Sequence, residues 1–249
     1  MTEPPIPTET DLVGLTVPDR ALAIGAHPDD AEFGAGATLA RWADDGAEIT
    51  AVIVTDGSKG TWDGDADPAE VAAQRREEQR AAAHRLGIAR IVFLDEVDGE
   101  LEYTMDLRYK LCLQVRKQQP DVVLTHDPWQ RYQLHPDHRI TGLAALDGVI
   151  AARDPLFFPE QGVPHHRPKT ILLWSSDDPD HAEPAPTAAI DRKIAALLCH
   201  TSQGRTTMDN ADRSEAERVA FAGRVTSWAE EAGSRFGLTT AEAFKQLTP

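Results

Sequence analysis

Five short apolar runs alternate with stretches of helical period, and that alternation restricts the chain to a narrow set of folds. The runs are Ala21–Ala26 (ALAIGA), Ile49–Thr55 (ITAVIVT), Arg90–Leu94 (RIVFL), Val122–Thr125 (VVLT) and Thr170–Trp174 (TILLW). Each is short, largely apolar and bounded by turn-forming or charged residues, so each predicts a buried strand. Between the first two runs a helix is expected through Leu39 and Trp42 to Gly46. After the second, Asp67 can cap a helix that has Pro68 at its first position, and Gly87 is a natural stop. Leu107, Leu111 and Val115 recur every fourth residue and mark the buried face of a third helix. A fourth begins near Pro136, and residues 154–169 read as a long loop rich in proline and glycine. Three further helices are predicted over Thr187–His200, Ala211–Gly233 and Thr239–Leu247.

Strands that alternate with helices make βαβ units and a parallel sheet. The expected architecture is therefore a Rossmann-like, three-layer α/β sandwich with a mostly parallel sheet in the order 3-2-1-4-5 and extra C-terminal helices. A single domain over residues 15–249 is expected, preceded by a mobile arm over 1–14, which is acidic and proline-rich.

Such sheets bind ligands at the carboxyl ends of their strands, where the strand order reverses. In the order 3-2-1-4-5 that point lies between strands one and four. Strand one is followed by AHPDD (Ala26–Asp30), and strand four by HDPWQRYQLHPDH (His126–His138). Two His-Pro-Asp stretches about a hundred residues apart are thus expected to face one another. Proline after each histidine suits the first turn of a helix, where free amides and the helix dipole favour carboxylates. Imidazole plus carboxylate is a ligand set for Zn²⁺, and a catalytic site keeps three protein ligands and one open position. His27, Asp30 and His138 make such a set, holding one ion per chain, able to bring the pKa of a bound water toward ~7. Asp29, beside the ligand Asp30, is placed to act as general base. His135, three residues before His138, is placed to steady an oxyanion and protonate a leaving amine. Asp137 is expected behind a histidine, setting its tautomer or raising its basicity.

The pair AHPDD and HPDH resembles the LmbE-like, or PIG-L, family of zinc-dependent N-deacetylases, which includes N-acetylglucosaminyl-phosphatidylinositol de-N-acetylase. The resemblance runs from about Arg20 to Phe244 and implies the same five roles for His27, Asp30, His138, Asp29 and His135. It implies a hydrolase removing an acyl group from an N-acetylglucosamine-type sugar or glycoconjugate. RREEQRAAAHRLG resembles the family's arginine-bearing helix and makes Arg75 a candidate for sugar binding, with Arg76 behind it. DGEL (Asp98–Leu101) resembles a loop whose aspartate reaches a substrate hydroxyl. HTSQ (His200–Gln203) has a family look without an assigned role. Two departures matter: Ala31 follows Asp30 where relatives often have Glu, with Glu32 one place later, and Tyr132 lies three residues before His135, where some relatives have a tyrosine two before. Tyr132 is carried as a candidate substrate contact.

The formal charge is −16, from 41 acidic against 25 basic side chains, a surface that repels phosphate backbones and anionic headgroups. Nucleic acid is excluded as a natural partner. No run approaches ~18 apolar residues, so no membrane span is expected. The opening MTEPPIPTETD reverses the plan of a signal peptide, which places the chain in the cytoplasm. Cys112 and Cys199 have no Cys-x-x-Cys spacing and read as reduced thiols. Oligomeric state is left open, a homo-oligomer included.

Other readings of the same residues stand beside these. One His-Pro-Asp alone is a helix start with a capping aspartate. His126 and Asp127 read as a local turn, and Arg75 and Arg76, among Glu77 and Glu78, as a solvated face. His27-x-Asp29 with a distant histidine is also the pattern of non-haem iron oxygenases. An amidase acting on a thiol conjugate or natural product, or a catalytically silent sugar-binding protein, would use the same fold.

Overall fold

The computed structural model describes residues 13–208, 210 and 214–249. Its elements are, in order, β1 (Arg20–Gly25), α1 (Asp30–Asp44), β2 (Glu48–Thr55), α2 (Pro68–Leu86), β3 (Arg90–Glu96), α3 (Met105–Gln118), β4 (Val122–His126), α4 (Pro136–Arg153), β5 (Thr170–Trp174), β6 (His181–Pro184), α5 (Thr187–Leu197), α6 (Glu215–Arg235) and β7 (Ala241–Leu247). The strands form one sheet in the order β3-β2-β1-β4-β5-β7-β6. The first five are parallel, with β1 central: Ala21 pairs with Ile49 on one side and Val122 on the other. The mostly parallel sheet and its 3-2-1-4-5 core are as the sequence predicts.

The local signals explain the helix ends. Asp67 accepts a hydrogen bond from the Ala69 amide at the start of α2, and Gly87 closes it in the left-handed conformation at φ 76°. Ser214 and Glu217 cap α6, although the sequence predicts a start at Ala211; residues 211–213 lie outside those described. Most of the mobile arm expected over 1–14 also lies outside the described residues. Val13 and Gly14 are described, and they join the body through a parallel bridge to Ala182.

The end of the chain differs from expectation. The helix predicted over Thr239–Leu247 is the strand β7, antiparallel to both β5 and β6. AEAFKQL is made largely of good helix formers, but pairing on both edges overrides propensity. Phe244 drops into the core on one face of the sheet, while Leu247 packs on the other. The short strand β6, which has no apolar run of its own, completes the edge. The helix expected to reach His200 stops at Leu197.

The core has two halves divided by the sheet, as a parallel sheet covered on both faces requires. Ala21, Ala23, Ile49 and Ala51 face Leu39, Trp42 and Ile190 of α1 and α5. Leu22, Ile24, Val52 and Val54 face Leu107, Leu111 and Val149 of α3 and α4. Truncating the fully buried Trp42 to alanine would cost about 3–5 kcal/mol.

Helix α1 is broken at Ala35, whose φ of −148° is not helical. The break frees backbone groups on both sides, and a buried ion pair serves both. Lys193 donates to the Phe33 carbonyl at 2.8 Å, while the Glu242 carboxylate accepts from the Ala37 and Thr38 amides at 3.1 and 2.7 Å. The two side chains meet at 2.6 Å. The first turn of α1, which carries Asp30, is thereby aimed independently of the rest of the helix. Among the described residues no helix is long and apolar enough to cross a membrane.

Candidate active site

The two His-Pro-Asp segments meet over the carboxyl ends of β1 and β4. After β1 the chain turns so sharply that a side chain at Gly25 would come within 2.9 Å of the Asp30 Cβ, so the turn needs glycine. The His27 amide donates to Asp30 Oδ2 at 2.7 Å, which fixes that carboxylate beside the His27 ring. On the other side His135 is the N-cap of α4, so Asp137 and His138 fall in its first turn.

His27 Nδ1 lies 3.2 Å from His138 Nε2, His138 Nε2 lies 3.3 Å from Asp30 Oδ1, and His27 Nδ1 lies 3.5 Å from Asp30 Oδ2. Ligands of a tetrahedral ion with bonds of about 2.0–2.1 Å are about 3.3 Å apart. The separations are of that size, with Asp30 turning Oδ1 toward His138 and Oδ2 toward His27. Among the described residues three overlapping His/Asp groups come close enough for a metal: His27, His135 and His138; His27, Asp98, His135 and Asp137; and Asp30, His126 and His138, so that the predicted triad is divided between the first and the third. The carboxylate between the rings is that of Asp30, which tells against the iron pattern built on Asp29.

The other ring nitrogen of His27 faces two carboxylates. Nε2 is 3.1 Å from Asp137 Oδ2 and 3.1 Å from Asp98 Oδ1. Asp137 also accepts the Gly99 amide at 2.7 Å, and Asp98 the Lys59 amide at 3.0 Å. These bonds hold the proton of His27 on Nε2 and leave Nδ1 for the ion. Burial alone would lower the His27 pKa, but Asp137, Asp30 and Asp98 outweigh it and raise it well above the ordinary value.

His126, read from sequence as part of a turn, is buried in the site. Its Nδ1 accepts from the indole Nε1 of Trp174 at 3.0 Å, so the proton of a neutral ring sits on Nε2, 3.1 Å from Asp30 Oδ2. Burial keeps that ring neutral, lowering its pKa against the pull of Asp30. For Asp30 the cost of burial is outweighed by His126 and His138, and its pKa falls well below the carboxylate range. Any side chain at Gly34 would strike the Trp174 ring at 2.5 Å, so that glycine admits the indole. The turn reading does hold for Asp127, which accepts from the Trp129 amide at 2.9 Å.

Asp29 adopts φ 97° and ψ −20°, a left-handed conformation that costs a non-glycine residue about 1–3 kcal/mol. Its carboxyl is pushed up to about 7, first by burial; the Arg75 charge opposes this and Asp30 adds to it. Asp29 Oδ2 and His135 Nδ1 are buried atoms without a hydrogen-bond partner among the described residues. Both residues line a cavity of about 630 Å³.

The candidate substrate contacts separate. Asp98 lies behind His27 and still borders the cavity. Arg75 borders it too, but is 3 % exposed and donates to the carbonyls of Pro28 and Gly57 at 2.6 and 3.1 Å. Arg76 lies outside, over the Phe93 ring. Tyr132 is 86 % exposed and outside the cavity lining. Trp174, Gln79 and Glu32 belong to the site without having been singled out for it from the sequence, and His126, which the sequence offers as a pocket residue or a turn, lines the cavity.

A doubly wound α/β sandwich with a His/Asp cluster over its switch point defines a metal-dependent enzyme of the parallel-sheet class. Comparison with known proteins is consistent with this. Residues 22–149 match the family PIG-L, described as GlcNAc-PI de-N-acetylase. Diacetylchitobiose deacetylase of Thermococcus kodakarensis is 34% identical over 187 residues, covering 74% of this chain and 70% of that protein. The structure of N,N'-diacetylchitobiose deacetylase from Pyrococcus horikoshii superimposes with a TM-score of 0.83 at 31% identity, covering 93% of this chain and 84% of that one. A 4-oxalmesaconate hydratase of Pseudomonas putida is 29% identical over 194 residues, covering 74% of this chain and 73% of that protein. The chain belongs to the PIG-L family of N-deacetylases.

Proposed function

We propose that the protein is a zinc-dependent hydrolase that removes an acetyl group, or a related acyl group, from the nitrogen of an N-acetylglucosamine-type sugar or glycoconjugate. The observation that carries this is the convergence of His27 Nδ1, His138 Nε2 and the Asp30 carboxylate at 3.2–3.5 Å, beside an Asp29 Oδ2 that accepts no hydrogen bond and faces only the Arg75 guanidinium, at 3.7 Å. His27, Asp30 and His138 would hold one ion, which when bound supplies Lewis acidity and acidifies water. Asp29 takes the proton from the attacking water. His135, which also lines the cavity, steadies the oxyanion and gives a proton to the leaving nitrogen. The C–N bond breaks, and a carboxylate and a free amine leave. Asp137 and Asp98 hold the His27 ring, and Asp98 is also the nearest candidate for a sugar hydroxyl.

The cavity wall supports a neutral, hydroxyl-rich substrate. Gln130, Gln133, Gln203, Thr206 and Thr207 line it, and Trp62 stands at its edge. A hydratase reading, prompted by the Pseudomonas relative, needs cations to hold an anionic acid. Of the two lysine or arginine side chains in the lining, Lys59 pairs with Glu100 at 2.6 Å, and Arg75 is bonded to backbone carbonyls and ion-paired with Asp29 at 3.7 Å.

The test is a panel of N-acylated mono- and disaccharides, thiol-conjugate amides and acylated natural products given to zinc-loaded protein, scored by free primary amine. Amine release from an N-acetylated amino sugar supports the reading. Release from a thiol conjugate or natural product alone moves the substrate assignment to those amidases. Tight zinc with no amine from any substrate identifies a silent binder.

A further inference from the structure

We propose that Gln79 and Arg75 of α2 form a clamp on the Pro28–Asp29 peptide that holds Asp29 in its left-handed conformation, and that Glu32 orients the clamp. Both are positioning residues for the general base. The proposal rests on the reading of Asp29 as that base.

The peptide is gripped at both ends. Its carbonyl, Pro28 O, accepts from Arg75 Nη2 at 2.6 Å; its amide, Asp29 N, donates to Gln79 Oε1 at 3.0 Å. Residues 75 and 79 are four apart, so they share one face of the helix. Gln79 is fully buried, and its Nε2 donates to Glu32 Oε1 at 2.7 Å. These contacts settle which way the amide points. A backbone N–H demands the oxygen, and the carboxylate then receives the nitrogen. The second Arg75 bond, to Gly57 O, ties the same face of α2 to the loop after β2. A left-handed non-glycine residue persists only where its surroundings over-determine it. Here both hydrogen-bonding groups of the peptide preceding its Cα are taken by one helix face. Glu32, one place later than the glutamate common among relatives, reaches the clamp rather than the cavity; it lies outside the cavity lining, and its Oε2 is 4.0 Å from the buried His200.

A passive packing role and a clamp respond differently to substitution. In Gln79→Leu the Asp29 amide is left without an acceptor. The expected result is loss of hydrogen-exchange protection at that amide in ¹⁵N-labelled protein, with kcat down about 10–100-fold, KM within about threefold and zinc content unchanged. Gln79→Glu alone sets two carboxylates face to face and should lose protection and kcat at about pH 8.5, where Glu32, pushed up to about 7 by burial, is ionised and cannot share a proton with the new carboxylate. The exchange Glu32→Gln with Gln79→Glu restores an acceptor for Asp29 N and a donor–acceptor pair behind it, so protection and kcat should return to within about threefold of wild type. Undiminished protection of the Asp29 amide in Gln79→Leu, or a double variant no better than Gln79→Glu, overturns the clamp. If Gln79→Leu does not fold, the double variant against Gln79→Glu decides. The exchange measurement needs no substrate, so failure of the clamp and failure of the deacetylase reading remain separate results.

Discussion

Replacing His126 with phenylalanine tests whether Asp30 is held as a ligand by an outer chain of hydrogen bonds. Asp30 Oδ2 receives two bonds, from the His27 amide at 2.7 Å and from His126 Nε2 at 3.1 Å. The second depends on Trp174, whose indole N–H fixes the His126 tautomer at 3.0 Å. Phenylalanine keeps the ring's bulk, and with it the stacking against His138 at 4.3 Å between centroids, while removing the donor. A hydrogen bond to a charged group contributes about 1.5–3 kcal/mol, which is about 10–150-fold in an equilibrium constant. Part of that stabilises the carboxylate with or without metal, so the loss in affinity should fall nearer the 10–100-fold typical of groups behind a ligand. Trp174→Phe leaves the imidazole in place but frees its tautomer, and the neutral bond it removes gives about 2–10-fold. Zinc dissociation constants from competition with a chromophoric chelator at pH 7.5 measure both. Wild-type affinity in His126→Phe, or a larger loss in Trp174→Phe than in His126→Phe, would refute the orienting chain.

Other outcomes follow from the same geometry. Asp29→Asn should retain zinc and lose about 10²–10⁴-fold in kcat, whereas His138→Ala should lose the metal; metal analysis beside turnover separates them. Glu242→Gln leaves the buried Lys193 charge short of its partner and should destabilise the fold by about 3–5 kcal/mol in urea melts, against little change if the pair is incidental. Gly34→Ala should lower both melting temperature and zinc affinity, because the added carbon displaces Trp174; an unchanged affinity would detach the indole from the site. His200, facing Glu32 and Arg75, has its pKa driven down to about 3, first by burial and then by the Arg75 charge. Below pH 6.5 the unfolded chain therefore takes up a proton that the folded chain refuses, and this group lowers stability by about 1.4 kcal/mol per pH unit until about pH 3. Glu32, whose carboxyl burial pushes up to about 7, acts in the opposite sense, so the comparison must be made between variants. His200→Leu should gain on wild type by about 2 kcal/mol from pH 6.5 to 5; a pH-independent difference would show that His200 is not buried neutral.

Much of the site could be read from the residues because its ligands come with their own local geometry. A histidine followed by proline and an acid, twice, after two strands that a parallel sheet makes neighbours, is enough to bring His27, Asp30 and His138 together. The helix carrying Arg75 was harder. Its charged run RREEQR suggests a solvated face, yet the buried positions Arg75, Glu78, Gln79, Ala82, Ala83 and Leu86 continue one stripe at spacings of three and four. Extending the apolar stripe of Ala82, Ala83 and Leu86 backwards would have found the clamp. Tyr132 misleads in the other direction: its φ of 61° belongs to a loop that turns the ring outward, which spacing from His135 does not reveal. His126 hides in a dipeptide that also makes an ordinary turn. Strand β7 is illegible for a different reason, since its partners, Ile171–Leu173 and His181–Pro184, lie some sixty to seventy-five residues away, and helix-forming side chains say nothing about them.

The ion pair at the break in α1 ties the order of assembly to the order of synthesis. Ala37 and Glu242 are 205 residues apart, so the turn bearing Asp30 waits, half-supported, until β7 has been made. A nascent chain displaying only its first His-Pro-Asp offers loose donors on an unfinished helix, and a passing cation gains little by staying. The backbone beneath the Asp30 turn is thus closed only when β7 has joined the sheet.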